Sequence, residues 1–408
     1  MEVEEGQWTV FPSAMTADLV STRARLRREL RPTTEALVQD GRRFKFQGVV
    51  GTVAVGRRSL QIIPKVTEPN ADWIGAAVDL LERPDRLAVT DTRRAGLSPR
   101  RRTLLEALAT LYADRLERAL LRDGPMQLLE QRHEVLPALR GKLNVTRWAR
   151  TAGYTPHRFP VTSQQLNSDN EFTRGLALVA RILAGHTTSP VLQRRLRTLA
   201  LEVRPGAPDL VVVDDAVAHR PLPPQWAVYA PAWSIAVAVL TQRSLVSRVG
   251  TQHGVSLVIE AWRLHERMLD RSLAAAAQLG RAGGRPHMRS RGKVRTTLLA
   301  RPSSAEVGRL GVEPDGRLAE GATTLAAFDA KYKITAARTW PARDDAYQVV
   351  AAARAYKAPV AVLVYPGRFD AVWWDDLGDD DYPKHVAAIG LGLWSYRRGT
   401  GDVARGQR

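Results

Sequence analysis

The chain has 408 residues, 44% of them hydrophobic, with eight histidines, no cysteine and a formal charge of +18. That length supplies cores for two or three compact units, and the missing thiols exclude a disulfide framework or a thiolate metal centre. No apolar run approaches a membrane span and Met1-Glu2-Val3-Glu4-Glu5 is unlike a signal peptide, so a soluble, cytoplasmic protein without a membrane partner is expected. The positive excess favours a polyanionic partner, while an arginine- and alanine-rich composition also arises from genomic base bias.

Residues 1–130 read as a β-rich start followed by helices: apolar, extended runs at 46–56 and 60–66 form a hairpin, and 72–81 and 103–116 have the helical period. Between those helices Arg93, Arg94, Arg100, Arg101 and Arg102 make a basic loop, most simply a solvated one. Residues 131–254 carry apolar stripes at helical spacing over 171–182 and 192–203, the second stopped by Pro205 and Pro208. A rigid bend at Pro221-Leu222-Pro223-Pro224 precedes another helix over 229–247. From 255 to 400 the order is helix, strand, hairpin, helix, strand, and 401–408 is a frayed tail.

The chemistry lies in that last region. A helix is expected over 257–273, with Ile259, Trp262, Leu269 and Leu273 on its apolar stripe and Glu266 on the stripe beside it, either aimed at a site or solvated on a charged face. Arg289, Arg291, Lys293 and Arg295 alternate before and into a strand over 294–299, as expected of a surface that positions a duplex backbone without reading its sequence. Next come Pro314-Asp315, a polar, glycine-rich connection, and the apolar run Leu325-Ala326-Ala327-Phe328 leading into Asp329-Ala330-Lys331-Tyr332-Lys333.

That arrangement reads as a hairpin that sets Asp315 alongside Asp329. Alternation along a strand points Asp329 and Lys331 the same way. Two carboxylates suffice for Mg²⁺, which retains waters and uses few protein ligands, and a lysine beside it can activate water or offset charge on phosphate. An apolar strand that ends in charges leaves them at a core edge at a cost unless something uses them; the plain alternative is a surface ion pair. A helix over 345–356 presents Gln348, whose amide could orient a water or phosphate, and leads into an apolar strand over 359–365. The acidic cluster Asp375, Asp376, Asp379, Asp380 and Asp381 lacks the glycine and glutamate of a calcium loop and reads as an exposed loop. No phosphate-cradling Gly-X-X-X-X-Gly-Lys-Ser/Thr loop is present, so the chain is no motor, and no His-Glu-X-X-His or Gly-X-Ser-X-Gly signature is present either.

Pro314-Asp315 followed by Asp329-Ala330-Lys331 resembles the PD-(D/E)XK nuclease superfamily. More closely, the chain is similar to the McrC family, the endonuclease subunit of McrBC-type modification-dependent (type IV) restriction systems, through Tyr332-Lys333, Tyr347-Gln348 and Glu266. His265 stands where that family has an aromatic before the glutamate. The hairpin ending in Ile62-Ile63-Pro64-Lys65, the segment 139–144 and the segment 167–172 match further elements, so the likeness spans about 46–365.

This resemblance implies a mixed α/β chain with an N-terminal β-plus-helical partner-docking region (1–130), a helical middle region (131–254) and a PD-(D/E)XK restriction-endonuclease-like domain (255–400). It implies a Mg²⁺-dependent DNA endonuclease, with Mn²⁺ as a substitute, that cleaves double-stranded DNA in antiviral defence. The implied partner is a hexameric AAA+ McrB-like GTPase, which this subunit stimulates. Asp315 and Asp329 are then metal ligands, Lys331 polarises the nucleophile, Glu266 assists and Gln348 orients. The segments 48–66 and 93–102 are candidates for contact with the ring. The alternatives are a noncatalytic DNA- or partner-binding adaptor that retains the fold, and a stand-alone structure-specific nuclease.

Overall fold

Leu325, Ala326, Ala327 and Phe328 are apolar without alternation because the strand that holds them, Thr323–Ala330, is covered on both faces. The computed structural model describes residues 1–29, 35–56, 58–65, 71–81, 103–207, 215–241, 257–299, 310–333, 341–375 and 382–396. Thr323–Ala330 is the third strand of a six-stranded mixed sheet in the order Met288–Arg291, Gly316–Glu320, Thr323–Ala330, Val360–Tyr365, His385–Gly390, Val372–Asp375. Its antiparallel partner Gly316–Glu320 completes the expected hairpin, with Gly316 opposite Phe328 and the turn made at Gly321 in the left-handed region (φ +60°). Its parallel partner Val360–Tyr365 is reached through the helix Arg343–Ala355, the crossover a parallel pair requires.

Two helices sandwich this sheet. On one face Leu269 and Leu273 of the helix Ala261–Ala282 pack on Ala326, Phe328, Val362 and Val364. On the other Val349 and Ala353 of Arg343–Ala355 pack on Ala327, Ala361 and Leu363. Gly316 permits the first of these contacts, since a Cβ there would lie 2.4 Å from Leu273 Cδ1.

The N-terminal hairpin forms as expected from Val49–Val55 and Arg58–Ile63, and it sits inside a four-stranded sheet. Glu2–Glu4 pairs with it on one side and Leu257–Glu260 on the other. The second pairing corrects the helix expected from 257: its first four residues are a strand, and the helix begins at Ala261. An apolar run of four carries no period that separates a strand from a first helical turn, and Leu257 finds its partner at Thr52, far away in sequence. The strand expected over 294–299 is likewise shorter, Thr296–Leu299, and Met288–Arg291 is a strand that was not expected.

The chain divides into two compact units, one made of 1–107 with 244–408, the other of 108–243. The boundaries at 130 and 254 read from sequence therefore differ from the spatial ones, because pairing between 49–52 and 257–260 joins both ends of the chain into one unit. The second unit holds the expected helices, as Glu171–His186, Pro190–Glu202 and Ala230–Thr241. It also contains a long ribbon, Leu128–Leu136 paired with Phe159–Asn167, and the short helix Val145–Thr151, which buries none of its residues. Among the described residues no helix is long and apolar enough to cross a membrane. The basic loop 93–102, residues 376–381 of the acidic cluster and the tail lie outside the described residues.

Candidate active site

Strand alternation sets the site. Ala327 belongs to the face covered by the helix Arg343–Ala355, so Asp329 and Lys331, two and four residues on, project to that same face, while Phe328 and Ala330 pack on the other. Lys331 Nζ lies 2.6 Å from Asp329 Oδ2 and donates to Gln348 Oε1 at 2.6 Å. Asp315, just ahead of Gly316–Glu320, accepts the backbone N–H of Ala330 at Oδ2 over 2.7 Å. The hairpin and the crossover helix thus bring Asp315, Asp329, Lys331 and Gln348 together at one end of the sheet.

Burial governs the electrostatics. Asp329 is 3% exposed, and burial pushes its carboxyl above the ordinary carboxylate range; Lys331 pulls it back, and the nearby Asp315 and Asp345 add to the rise. The Lys331 ammonium lies directly against Asp329 Oδ2 and partners that buried carboxylate. Burial raises Glu266 as well, with Lys293 opposing and Asp315 reinforcing the shift. Glu266 reaches Asp315 through a shared cation: Lys293 Nζ lies 2.6 Å from Glu266 and 3.0 Å from Asp315 Oδ1. Among the described residues no group of three or more His, Asp or Glu is arranged to hold a metal unaided.

Of the basic residues expected to meet DNA, Arg289 and Arg291 are exposed on the same face of the sheet's edge strand. Arg295 is exposed and lies against the backbone of Gly311. Lys293 is turned toward the carboxylates instead. Sequence reasoning missed Asp345, which is 5% exposed at the start of the Tyr-Gln helix, 2.8 Å from Lys333 Nζ and 3.8 Å from Lys331 Nζ. The signal was available: Asp345 and Gln348 are three apart on one helix face, and Lys331 and Lys333 are two apart on an extended segment.

Residues 44–366 match the family described as the McrBC 5-methylcytosine restriction system component. The chain belongs to that family. It also resembles a chain in the refined half-complex from the tetradecameric assembly of Thermococcus gammatolerans McrB AAA+ hexamers with bound McrC, at 18% identity and a TM-score of 0.72, covering 100% of this chain and 99% of that one. A second likeness, to a chain in the cryo-EM structure of the Thermococcus gammatolerans McrBC complex, has 20% identity and a TM-score of 0.51 over 67% and 88% of the two chains. No curated protein matches the sequence significantly. This McrBC restriction-system component therefore shares its mixed α/β fold with chains of that complex.

The other motif residues of this McrBC component serve the framework. Tyr332 donates to Glu5 at 2.7 Å, and Glu5 in turn accepts the N–H of Gly48, whose carbonyl accepts the first helical N–H, that of Ala261. The N-terminal sheet thereby braces both the strand of Asp329 and the helix of Glu266. His265 is fully buried with its ring 6.5 Å edge-on from Tyr332, so it fills the space of the expected aromatic. Burial pushes its pKa down to about 4. In the second unit Asn170 caps the helix Glu171–His186 through the N–H groups of Phe172 and Thr173, and Asp169 pairs with Arg174 and the buried Arg204.

Proposed function

We propose that this subunit hydrolyses DNA phosphodiester bonds as a Mg²⁺-dependent endonuclease with a PD-(D/E)XK site, together with a McrB-like AAA+ GTPase that it stimulates. The observation that carries the reading is the convergence of Asp315, Asp329 and Lys331, with the buried Asp329 carboxylate held 2.6 Å from the Lys331 ammonium. A Mg²⁺ site drawing on two carboxylates and several waters fits this donor set better than a closed protein cage does. Asp315 and Asp329 would hold the ion, with Mn²⁺ as a substitute. When bound it supplies Lewis-acid polarisation of the phosphate and an acidified water. Lys331, tethered between Asp329 and Gln348 and 15% exposed, keeps its ammonium where negative charge grows on phosphate. Gln348 fixes that ammonium and Asp345 supports it from the same helix. Arg289 and Arg291, exposed on the edge strand, provide a backbone-positioning surface for duplex DNA.

Exposure speaks against the 48–66 hairpin as the surface for the AAA+ partner: Val49, Val50, Val53, Leu60 and Ile62 are fully buried and both flanks of the hairpin are paired. Exposed apolar side chains occur instead on the ribbon of the second unit, Leu129 opposite Leu166, and at Leu139, Val145 and Tyr154 between its two strands, and we assign the docking surface there.

The test is nicking and cutting of modified plasmid by the chain with its AAA+ partner, GTP and Mg²⁺. Asp329→Ala and Lys331→Ala should each lower the rate at least about a hundredfold. Equal rates for all three proteins would reduce the chain to a noncatalytic adaptor, and cleavage without partner or nucleotide would make it a stand-alone nuclease.

A further inference from the structure

The proposed reaction gives Lys293 no task, although its ammonium lies between the carboxylates of Glu266 and Asp315. Nζ bridges Glu266 on one element and Asp315 on another, and the Trp262 ring centroid lies 6.0 Å away. Asp270, one turn along the helix from Glu266, adds its charge to the same neighbourhood. An ammonium held there fills the place that the local field offers to any cation.

Its tether differs from that of Lys331. Lys331 follows directly on a central strand, continues its pairing through its N–H to Val364, and is 15% exposed. Lys293 belongs to the irregular stretch between the strands Met288–Arg291 and Thr296–Leu299, and its side chain is 41% exposed. It lies two residues beyond Arg291, on the segment that carries the surface proposed for the DNA backbone. A long, flexible side chain so placed has two sets of anionic partners within its range, the carboxylates inside and phosphates outside.

We propose that Lys293 is an internal counter-ion that competes with the divalent cation for Asp315 and is released to DNA phosphate when the cation binds. The idea rests on the nuclease reading above. It makes metal and DNA cooperative ligands: the ion frees Lys293 for phosphate, and phosphate, by drawing Lys293 away, frees Asp315 for the ion. Linkage requires the two effects to be equal in size.

Mn²⁺ binding to the full chain, followed by electron paramagnetic resonance with no turnover, tests this. In the absence of DNA, Lys293→Gln should tighten Mn²⁺ binding about tenfold, and Lys293→Arg should leave it near the wild-type value. Addition of a phosphorothioate duplex that resists cleavage should tighten Mn²⁺ binding to wild type but not to Lys293→Gln. Asp315→Asn and Asp329→Asn serve as controls that should weaken Mn²⁺ binding in either background. If those controls lose Mn²⁺ while Lys293→Gln binds like wild type, the counter-ion idea is overturned and the metal site stands. If the controls bind as wild type does, or no variant binds, the metal reading fails and the counter-ion idea with it.

Discussion

The sheet end that carries Asp329 and the ribbon that carries Leu129 break opposite rules of folding. At the first, carboxylates and ammoniums are drawn into partial burial, and burial raises the pKa values of Asp329 and Glu266. At the second, apolar side chains face water on both paired strands, with Leu129 opposite Leu166 at 67% and 63% exposure. Neither arrangement is what stability alone selects. On the function proposed above, a cation and phosphate would use the first arrangement and a protein surface the second. The proposed function thus assigns chemistry to the first unit and recognition to the second, and substitutions in the two should have separable effects.

After the loss of cleavage expected for Asp329→Ala, the next largest effect belongs to the framework of the charged end. Burial holds the folded pKa of His265 at about 4, below the ordinary histidine value of 6.5. The folded state therefore binds fewer protons than the unfolded one between those values. His265 costs nothing above that window, and stability falls as pH drops through it, by about 3 kcal/mol in all. His265→Phe should flatten the fall in urea midpoint between pH 6.5 and pH 4; an unchanged profile would place the acid sensitivity elsewhere.

On the ribbon, Leu129→Asp combined with Leu166→Asp should weaken association with the AAA+ partner at least about tenfold, read by sedimentation or calorimetry. The same pair should move the melting temperature by no more than about 2 °C, since exposed positions contribute little to folding. A large fall in melting temperature with unaltered association would reverse the assignment. The smallest effect is reserved for a motif residue that the structure makes architectural. Asn170→Ala should cost about 1 kcal/mol of stability through the lost helix cap, measured by denaturant titration, with cleavage retained at temperatures where the variant is folded.

The hairpin, the Asp329–Lys331 alternation and the crossover helix were legible because period and local turn chemistry determine them. Asp315 met the strand of Asp329 for the same reason. The strand Leu257–Glu260 was not legible, since its partner is at Val49–Thr52 and four apolar residues suit a helix equally well. Lys293 read as a phosphate contact because a sequence shows its charge and not the carboxylates on two other elements that attract it. Asp345 was overlooked although its spacing from Gln348 marks it, because an acid in a first helical turn is ordinarily explained by the helix dipole. Exposure of the ribbon is a property of what fails to pack against it, and no local pattern encodes that.

Discontinuity of the first unit bears on biosynthesis. Val49–Val55 reaches the ribosome's exit early, but its outer neighbour Leu257–Glu260 follows roughly two hundred residues later, about ten to forty seconds at ordinary rates of translation. During that interval one flank of the nascent N-terminal sheet is without its mate, while the whole inserted unit, 108–243, has been synthesised and can fold. Completion of the N-terminal sheet thus waits until the inserted unit has been made, so a chain truncated before residue 257 would carry the whole second unit without a finished first one.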